Sequence, residues 1–222
     1  MKINTDKENN SFITLNNLKL IQHSLIKKDI TILRDASTVP EEFRRVLRRI
    51  SAVLAVEVSR DIEIEEIEIK TPLERTTGHR LEQKIVLFPV LRAGLGMAEG
   101  FLDMIPDAQV GHIGIKRNEE TLQPIGYYSK SPSELSSSKV ILLDPMLATG
   151  GSGSSGLKYL KEIGAKDCIF VCIVAAPEGV QKINSDHPGT KIFTAALDRE
   201  LNSKGYILPG LGDAGDRIFG TF

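Results

Sequence analysis

From Lys84 onward, short apolar runs alternate with stretches in which apolar residues recur every three or four positions. The runs at 85–90, 109–115, 140–143, 168–175 and 191–196 read as strands, and the stretches between them carry the period of half-buried helices. This alternation predicts βαβ units and a mainly parallel open sheet flanked by helices, an α/β fold. Upstream, Phe43, Val46, Leu47, Ile50, Val53 and Leu54 form an apolar stripe at helical spacing, behind Thr38-Val-Pro-Glu41, which has the spacing of a capping box. Glu57 takes the next place on the stripe, so the buried face is expected to end there. Residues 61–70 alternate with period two, but the phase slips across Glu65-Glu66, where a bulge or tight bend would restore register. Residues 71–80 read as a loop. Residues 1–14 are expected to be an extended or frayed extension ahead of an N-terminal helical arm. With no internal repeat and no linker, 1–222 reads as a single domain.

Composition changes this picture little. Hydrophobic residues make up 41% and charged residues 26% of the 222, ordinary for a globular domain. A net charge of −1 makes no electrostatic case for nucleic acid or membrane as a partner. No apolar run reaches the length of a membrane span, and the polar start is not a signal peptide, so a cytoplasmic location is expected. Cys168 and Cys172 lie four apart on one strand, face the same side and read as buried free thiols. His23, His79, His112 and His187 match no metal spacing, and no protein metal site is expected. Arg44, Arg45, Arg48 and Arg49 flank the helical stripe; a solvated face is the simpler reading than a patch for RNA or an acidic effector.

Candidate chemistry is concentrated in four strings. In the first, the strand at 140–143 runs into Asp144, then a Thr149-Gly-Gly-Ser152 turn, then a segment with Leu157, Leu160 and Ile163 at helical spacing that Gly164 stops. A strand, an acid, a turn of small residues and a helix are how an open α/β sheet presents a phosphate sugar at its carboxyl edge. The glycines admit backbone amides to an anion, and the helix N-terminus adds unpaired N–H groups. Thr149 and Ser152 can donate hydroxyls, while an ionised Asp144 can only accept, which suits sugar hydroxyls. A Walker loop is excluded because no Lys follows Gly150 or Gly151. Gly151-Ser-Gly-Ser-Ser-Gly156 fits a dinucleotide loop only loosely, lies inside the expected helix start and lacks the later acid.

The second string, Leu91-Arg-Ala-Gly-Leu-Gly96, follows the strand at 85–90 and places Arg92, a fixed cation, at its end, ahead of a helix near Met97. The third, Gly114-Ile-Lys-Arg117 and the polar stretch to Ser138, is long and without clear periodicity, which marks functional segments more often than structural ones. The fourth, from Gly205 to Arg217, holds four glycines and a proline. It is expected to make poor regular structure and to leave its backbone groups to a ligand.

These strings resemble, in order, those of the uracil phosphoribosyltransferases, from about Ile85 to Phe222. Most phosphoribosyltransferases carry two adjacent acids in the first string; Asp144-Pro145 is similar to the uracil branch. The resemblance implies a phosphoribosyltransferase fold with a flexible active-site hairpin. The implied reaction transfers 5-phosphoribosyl from its 1-diphosphate to N1 of uracil, giving UMP and diphosphate. It further implies that Asp144, Pro145, Met146, Leu147, Ala148, Thr149, Gly150, Gly151 and Ser152 bind the donor's phosphate and ribose, with Arg92 and Arg117 on the diphosphate. Ile207, Gly212, Asp213 and Ala214 would bind uracil, Asp213 reaching the donor as well. Asp213, Arg117 and Arg92 are the catalytic candidates. Mg²⁺ is expected to arrive on the diphosphate, and GTP activation and a homo-oligomer enter as expectations. Val174-Ala-Ala-Pro-Glu-Gly179 also resembles a family string, though Glu178 serves as well as a first-turn helix acid. The rivals are a pyrimidine-responsive RNA binder using the Arg44–Arg49 helix, and a catalytically silent homologue. A continuous basic surface on that helix would favour the first.

Overall fold

The computed structural model describes residues 2–3, 13–14, 17–117 and 124–221, with side chains from 17 to 115, at 126, and from 128 to 221. After β1 (Leu18–Leu20) come α1 (Ser24–Arg34) and α2 (Pro40–Ser59), then a hairpin of β2 (Ile64–Lys70) and β3 (Arg75–Leu81). The α/β body follows: β4 (Ile85–Leu91), α3 (Leu95–Met104), β5 (His112–Arg117), β6 (Pro124–Lys130), β7 (Lys139–Leu143), α4 (Gly151–Glu162), β8 (Asp167–Ala175), α5 (Pro177–Asp186), β9 (Lys191–Leu197) and the short α6 (Ala214–Phe219). Main-sheet order is β1-β9-β8-β7-β4-β5-β6. Every neighbour along it is parallel except β5–β6, so the expected parallel sheet carries one antiparallel edge strand.

The strand period of two sorts the core into two layers. Ile85, Leu87, Ile141, Leu143, Ile169 and Val171 face α1, α2, α3 and α6. Val86, Phe88, Val140, Leu142, Cys168, Phe170 and Cys172 face the other way, with Leu157 and Leu160 of α4 and Val180 and Ile183 of α5. Covered on both sides, β4, β7 and β8 are apolar at almost every position, which is why they read as runs rather than alternations. Both cysteines are free and buried on one face, and burial pushes their thiols up to about 11 and about 12.

Several upstream expectations are corrected. No capping box forms: α2 starts after Val39, which makes no side-chain cap, and the Thr38 hydroxyl donates instead to the Ile32 carbonyl at 2.6 Å. The α2 stripe continues one turn past Leu54 to Val58, which is buried. No bulge interrupts residues 64–70, which pair with 75–81 in unbroken antiparallel register, and most of the expected loop at 71–80 is therefore strand. The hairpin leaves Ile64, Ile69 and Leu73 exposed. With neither face buried, no hydrophobic phase had to be kept, and ladder bonds rather than burial define these strands. The strand expected at 109–115 is two pieces, Gln109–Val110 and β5, separated at Gly111. Lys2–Ile3 pairs antiparallel with Ile13–Thr14; the rest of 1–14 lies outside the described residues.

The arginines of α2 are consumed by neighbours. Arg49 forks onto buried Asp29 of α1 at 2.5 and 2.6 Å, and Arg48 onto Asp103 of α3 at 2.6 Å twice. Arg45 reaches Glu42, and Arg44 donates to the Ile218 carbonyl. This helix presents no continuous basic surface.

Candidate active site

The polypeptide leaves β4 for β5 on one side and later places β7 on its other side, so the carboxyl ends of β4 and β7 flank a point where strand order reverses. Leu143 is level with Pro89 across the pair, which brings the segments after the two strands together. There the structure has a cavity of about 450 Å³. Of the residues singled out from sequence, Arg92, Asp144, Met146, Leu147, Ala148, Thr149, Gly150, Gly151, Ser152, Ile207, Gly212, Asp213 and Ala214 line it. Pro145 lies beneath, its carbonyl accepting from the N–H groups of Ile173 and Val174 at 3.0 and 3.1 Å. Arg117 belongs to β5 by its backbone, but its side chain lies outside the described residues, as does the hairpin tip at 118–123.

Asp144 follows β7, and its N–H makes a last sheet bond to the Val171 carbonyl at 3.2 Å. The carboxylate receives the Met146 N–H only at 3.4 Å. Burial, aided by the like charge of Asp213, outweighs that bond and pushes the Asp144 carboxyl up to about 7. The backbone then lays Met146–Leu147 beside β8 and turns into α4 through Gly150. Gly150 has φ +80°, and a Cβ there would lie 2.7 Å from Lys182 Cβ and 2.9 Å from the Gly179 carbonyl, so glycine is required twice over. Gly150 at the start of α4 brings no side-chain cap, the Gly151 N–H reaches only the Thr149 hydroxyl at 3.5 Å, and no acid occupies the first turn. Its leading N–H groups therefore meet the cavity without a competing carboxylate, the arrangement that favours an anion.

Arg92 stands opposite, after a cis Leu91–Arg92 peptide. Its guanidinium lies 3.4 Å from an Asp216 oxygen and 5.6 Å from the centre of the Phe219 ring, both on α6. More than half of its side chain remains exposed. The fourth string closes the remaining wall. It is less irregular than expected: Ile207–Leu208 pairs antiparallel with Glu200–Leu201, and between that pair and α6 only the stretch from Pro209 to Asp213 lacks helix or strand. From Ala214 it is helical: Asp213 caps α6 by accepting the Asp216 N–H at 3.0 Å, and Gly220 ends it at φ +66°.

Lys204 and Tyr206 also line the cavity. Neither was singled out, and adjacency to Ile207 was the one signal available. His187 lies outside the cavity, against the first turns of α4. Buried between α4 and α5, it lies 2.8 Å from the Ser154 carbonyl through Nε2, with Lys161 Nζ 3.2 Å from Nδ1. Glu178 is a first-turn acid of α5 and also accepts the Leu201 N–H at 3.0 Å.

An open, mostly parallel sheet with an anion-ready loop and an acid at one switch point defines a phosphoribosyltransferase-type fold. Adenine phosphoribosyltransferase from Trypanosoma brucei shares that fold at a TM-score of 0.57 and 14% identity, over 85% of this chain and 87% of that one. The sequence model described as uracil phosphoribosyltransferase matches residues 20–221, and the chain belongs to that family. The uracil phosphoribosyltransferase of Salinibacter ruber is 50% identical over 207 residues, 93% of this chain and 99% of its own. That of Thermosipho africanus is 52% identical over 205 residues, 92% of this chain and 99% of its own. The AQ2163 protein of Aquifex aeolicus superposes with a TM-score of 0.88 at 40% identity, covering 92% of this chain and 98% of that one.

Proposed function

We propose that this protein transfers the 5-phosphoribosyl group of 5-phosphoribosyl 1-diphosphate to N1 of uracil, releasing diphosphate and UMP, a pyrimidine-salvage reaction. What carries the reading is that the phosphate loop and the glycine-rich C-terminal loop, far apart in sequence, face one cavity with Arg92 and Asp144 between them. The N-terminal amides of α4 with Thr149 and Ser152 hold the 5-phosphate, and ionised Asp144 accepts from the ribose hydroxyls. Ile207, Gly212 and Ala214 read the O2, N3–H and O4 edge of uracil through backbone groups. As the C1–O bond breaks, positive charge grows on the ribose and negative charge on the diphosphate. Arg92 and Arg117 stabilise the latter, and Asp213 orients uracil N1.

No three His, Cys, Asp or Glu side chains gather as a metal cage among the described residues. We assign Mg²⁺ to the donor's phosphate oxygens, outside any step derived for the protein. GTP activation, homo-oligomer formation and a cytoplasmic location belong to the same proposal. For self-association the support is the projecting β2–β3 hairpin, whose tip residue Leu73 is 96% exposed. No helix among the described residues is long and apolar enough to cross a membrane.

Incubation of purified protein with Mg²⁺, 5-phosphoribosyl 1-diphosphate and each nucleobase in turn tests the reading. UMP from uracil, with no product from adenine, guanine or hypoxanthine, is expected. Donor binding with no product from any base would leave the phosphate site standing and remove the catalytic one.

A further inference from the structure

Gly210 lies in the loop between Ile207 and Gly212, which line the cavity while Gly210 does not, and both of its backbone polar groups are held. Its N–H donates to Asp198 Oδ2 at 2.9 Å, and its carbonyl accepts from Arg34 Nη1 at 2.8 Å. The same guanidinium forks onto the two oxygens of Asp198 at 2.8 and 2.5 Å. The Asp198 side chain is only 4% exposed and that of Arg34 24%. Arg34 is the last residue of α1 and Asp198 follows β9, so two elements remote in sequence converge on one loop residue. Gly210 has φ +61°, and a Cβ would lie 2.2 Å from the Ile207 carbonyl oxygen. Where Gly210 sits therefore decides where that carbonyl can sit. Neither Arg34 nor Asp198 lines the cavity itself.

An ion pair with one partner buried and the other largely so is a poor device for stability alone, because desolvation cancels much of its attraction and apolar residues of similar volume often serve as well. What an apolar pair could not do is bond a backbone N–H and a backbone carbonyl at once. Here the guanidinium and the carboxylate, after pairing with each other, spend further hydrogen bonds on those two groups. We propose that Arg34 and Asp198 are the positioning pair of the base loop, fixing the Ile207 carbonyl and the 212–214 backbone for uracil without touching the substrate. The inference rests on the base-site reading above.

Steady-state kinetics of Arg34→Gln and Asp198→Asn test it, with donor binding measured by calorimetry as the check on the rest of the site. The expected result is a KM for uracil raised about tenfold, the equivalent of one lost charge-assisted hydrogen bond, with the donor's Kd within about twofold of wild type. The double variant Arg34→Met/Asp198→Leu carries the test if either single variant fails to fold, because it leaves no unpaired buried charge. It is expected to fold and bind donor while its uracil KM stays raised. A double variant with wild-type uracil KM overturns the proposal, as does an equal loss of donor and uracil affinity in the single variants. No UMP from the wild type would overturn the base-site reading and this inference together; UMP from the wild type with unchanged variant KM overturns this inference alone.

Discussion

Asp144→Asn is expected to make the ligand-free protein more stable at pH 8 and a worse enzyme. The unfolded carboxyl titrates near 3.8 and the folded one at about 7. Between those values the native state keeps a proton that the unfolded state has lost. Native binding of the extra proton means that stability falls as pH rises through this window, and the loss is complete above about pH 7. At 1.36 kcal/mol per pH unit the full shift corresponds to roughly 4 kcal/mol. The carboxylate borders a cavity open to water, whose screening reduces this to about 2 kcal/mol, or roughly 4–8 °C in Tm for a protein of this size. Asparagine has the same shape and no charge to bury. Thermal melts of wild type and variant, without ligand and at equal concentration, should coincide near pH 4 and diverge up to pH 8, with the variant above. A Tm difference that does not change with pH, or a variant that melts lower at pH 8, would refute the reasoning. In the proposed reaction the same charge serves the donor, whose ribose hydroxyls would supply the hydrogen bonds that Met146 alone does not. Calorimetry should show donor affinity for wild type rising as pH passes through 7, and a loss of roughly ten- to a hundredfold in the variant at pH 8.

Gly150→Ala places a Cβ at φ +80° against Lys182 and Gly179, and should cost about 1–3 kcal/mol by denaturant titration while raising the donor KM more than the uracil KM; equal KM values to wild type would show that the turn does not set the phosphate site. Arg117→Ala should lower kcat far more than it weakens uracil binding, and parallel losses in a kinetic and calorimetric comparison would contradict a leaving-group role. Leu73→Asp, at the fully exposed hairpin tip, should leave the melting temperature of dilute protein nearly unchanged and reduce the mass measured by light scattering; an unchanged mass excludes the tip from self-association.

By itself the sequence determined the α/β body and the identity of most cavity residues. Strands buried on both faces must be apolar throughout, and a phosphate loop needs glycine, small hydroxyl residues and an acid in a fixed local order, so β4, β7, β8 and the 144–152 string are visible without coordinates. The β2–β3 hairpin was not, because two exposed faces impose no pattern and its defining bonds are between backbone groups. The helix from Ala214 was hidden by Gly215 and the glycines on either side of it, and the Asp213 cap that starts it is a matter of geometry. Only the tertiary structure decided that β4 and β7 are neighbours, which brings Arg92 to Asp144 across some fifty residues. It alone placed Arg34 and Asp198 on the two polar groups of Gly210, and spent the arginines of α2 on Asp29, Asp103 and Glu42. It also decided that a carboxylate legible as Asp144 would be held near neutrality, since desolvation depends on what surrounds a group rather than on its place in the sequence.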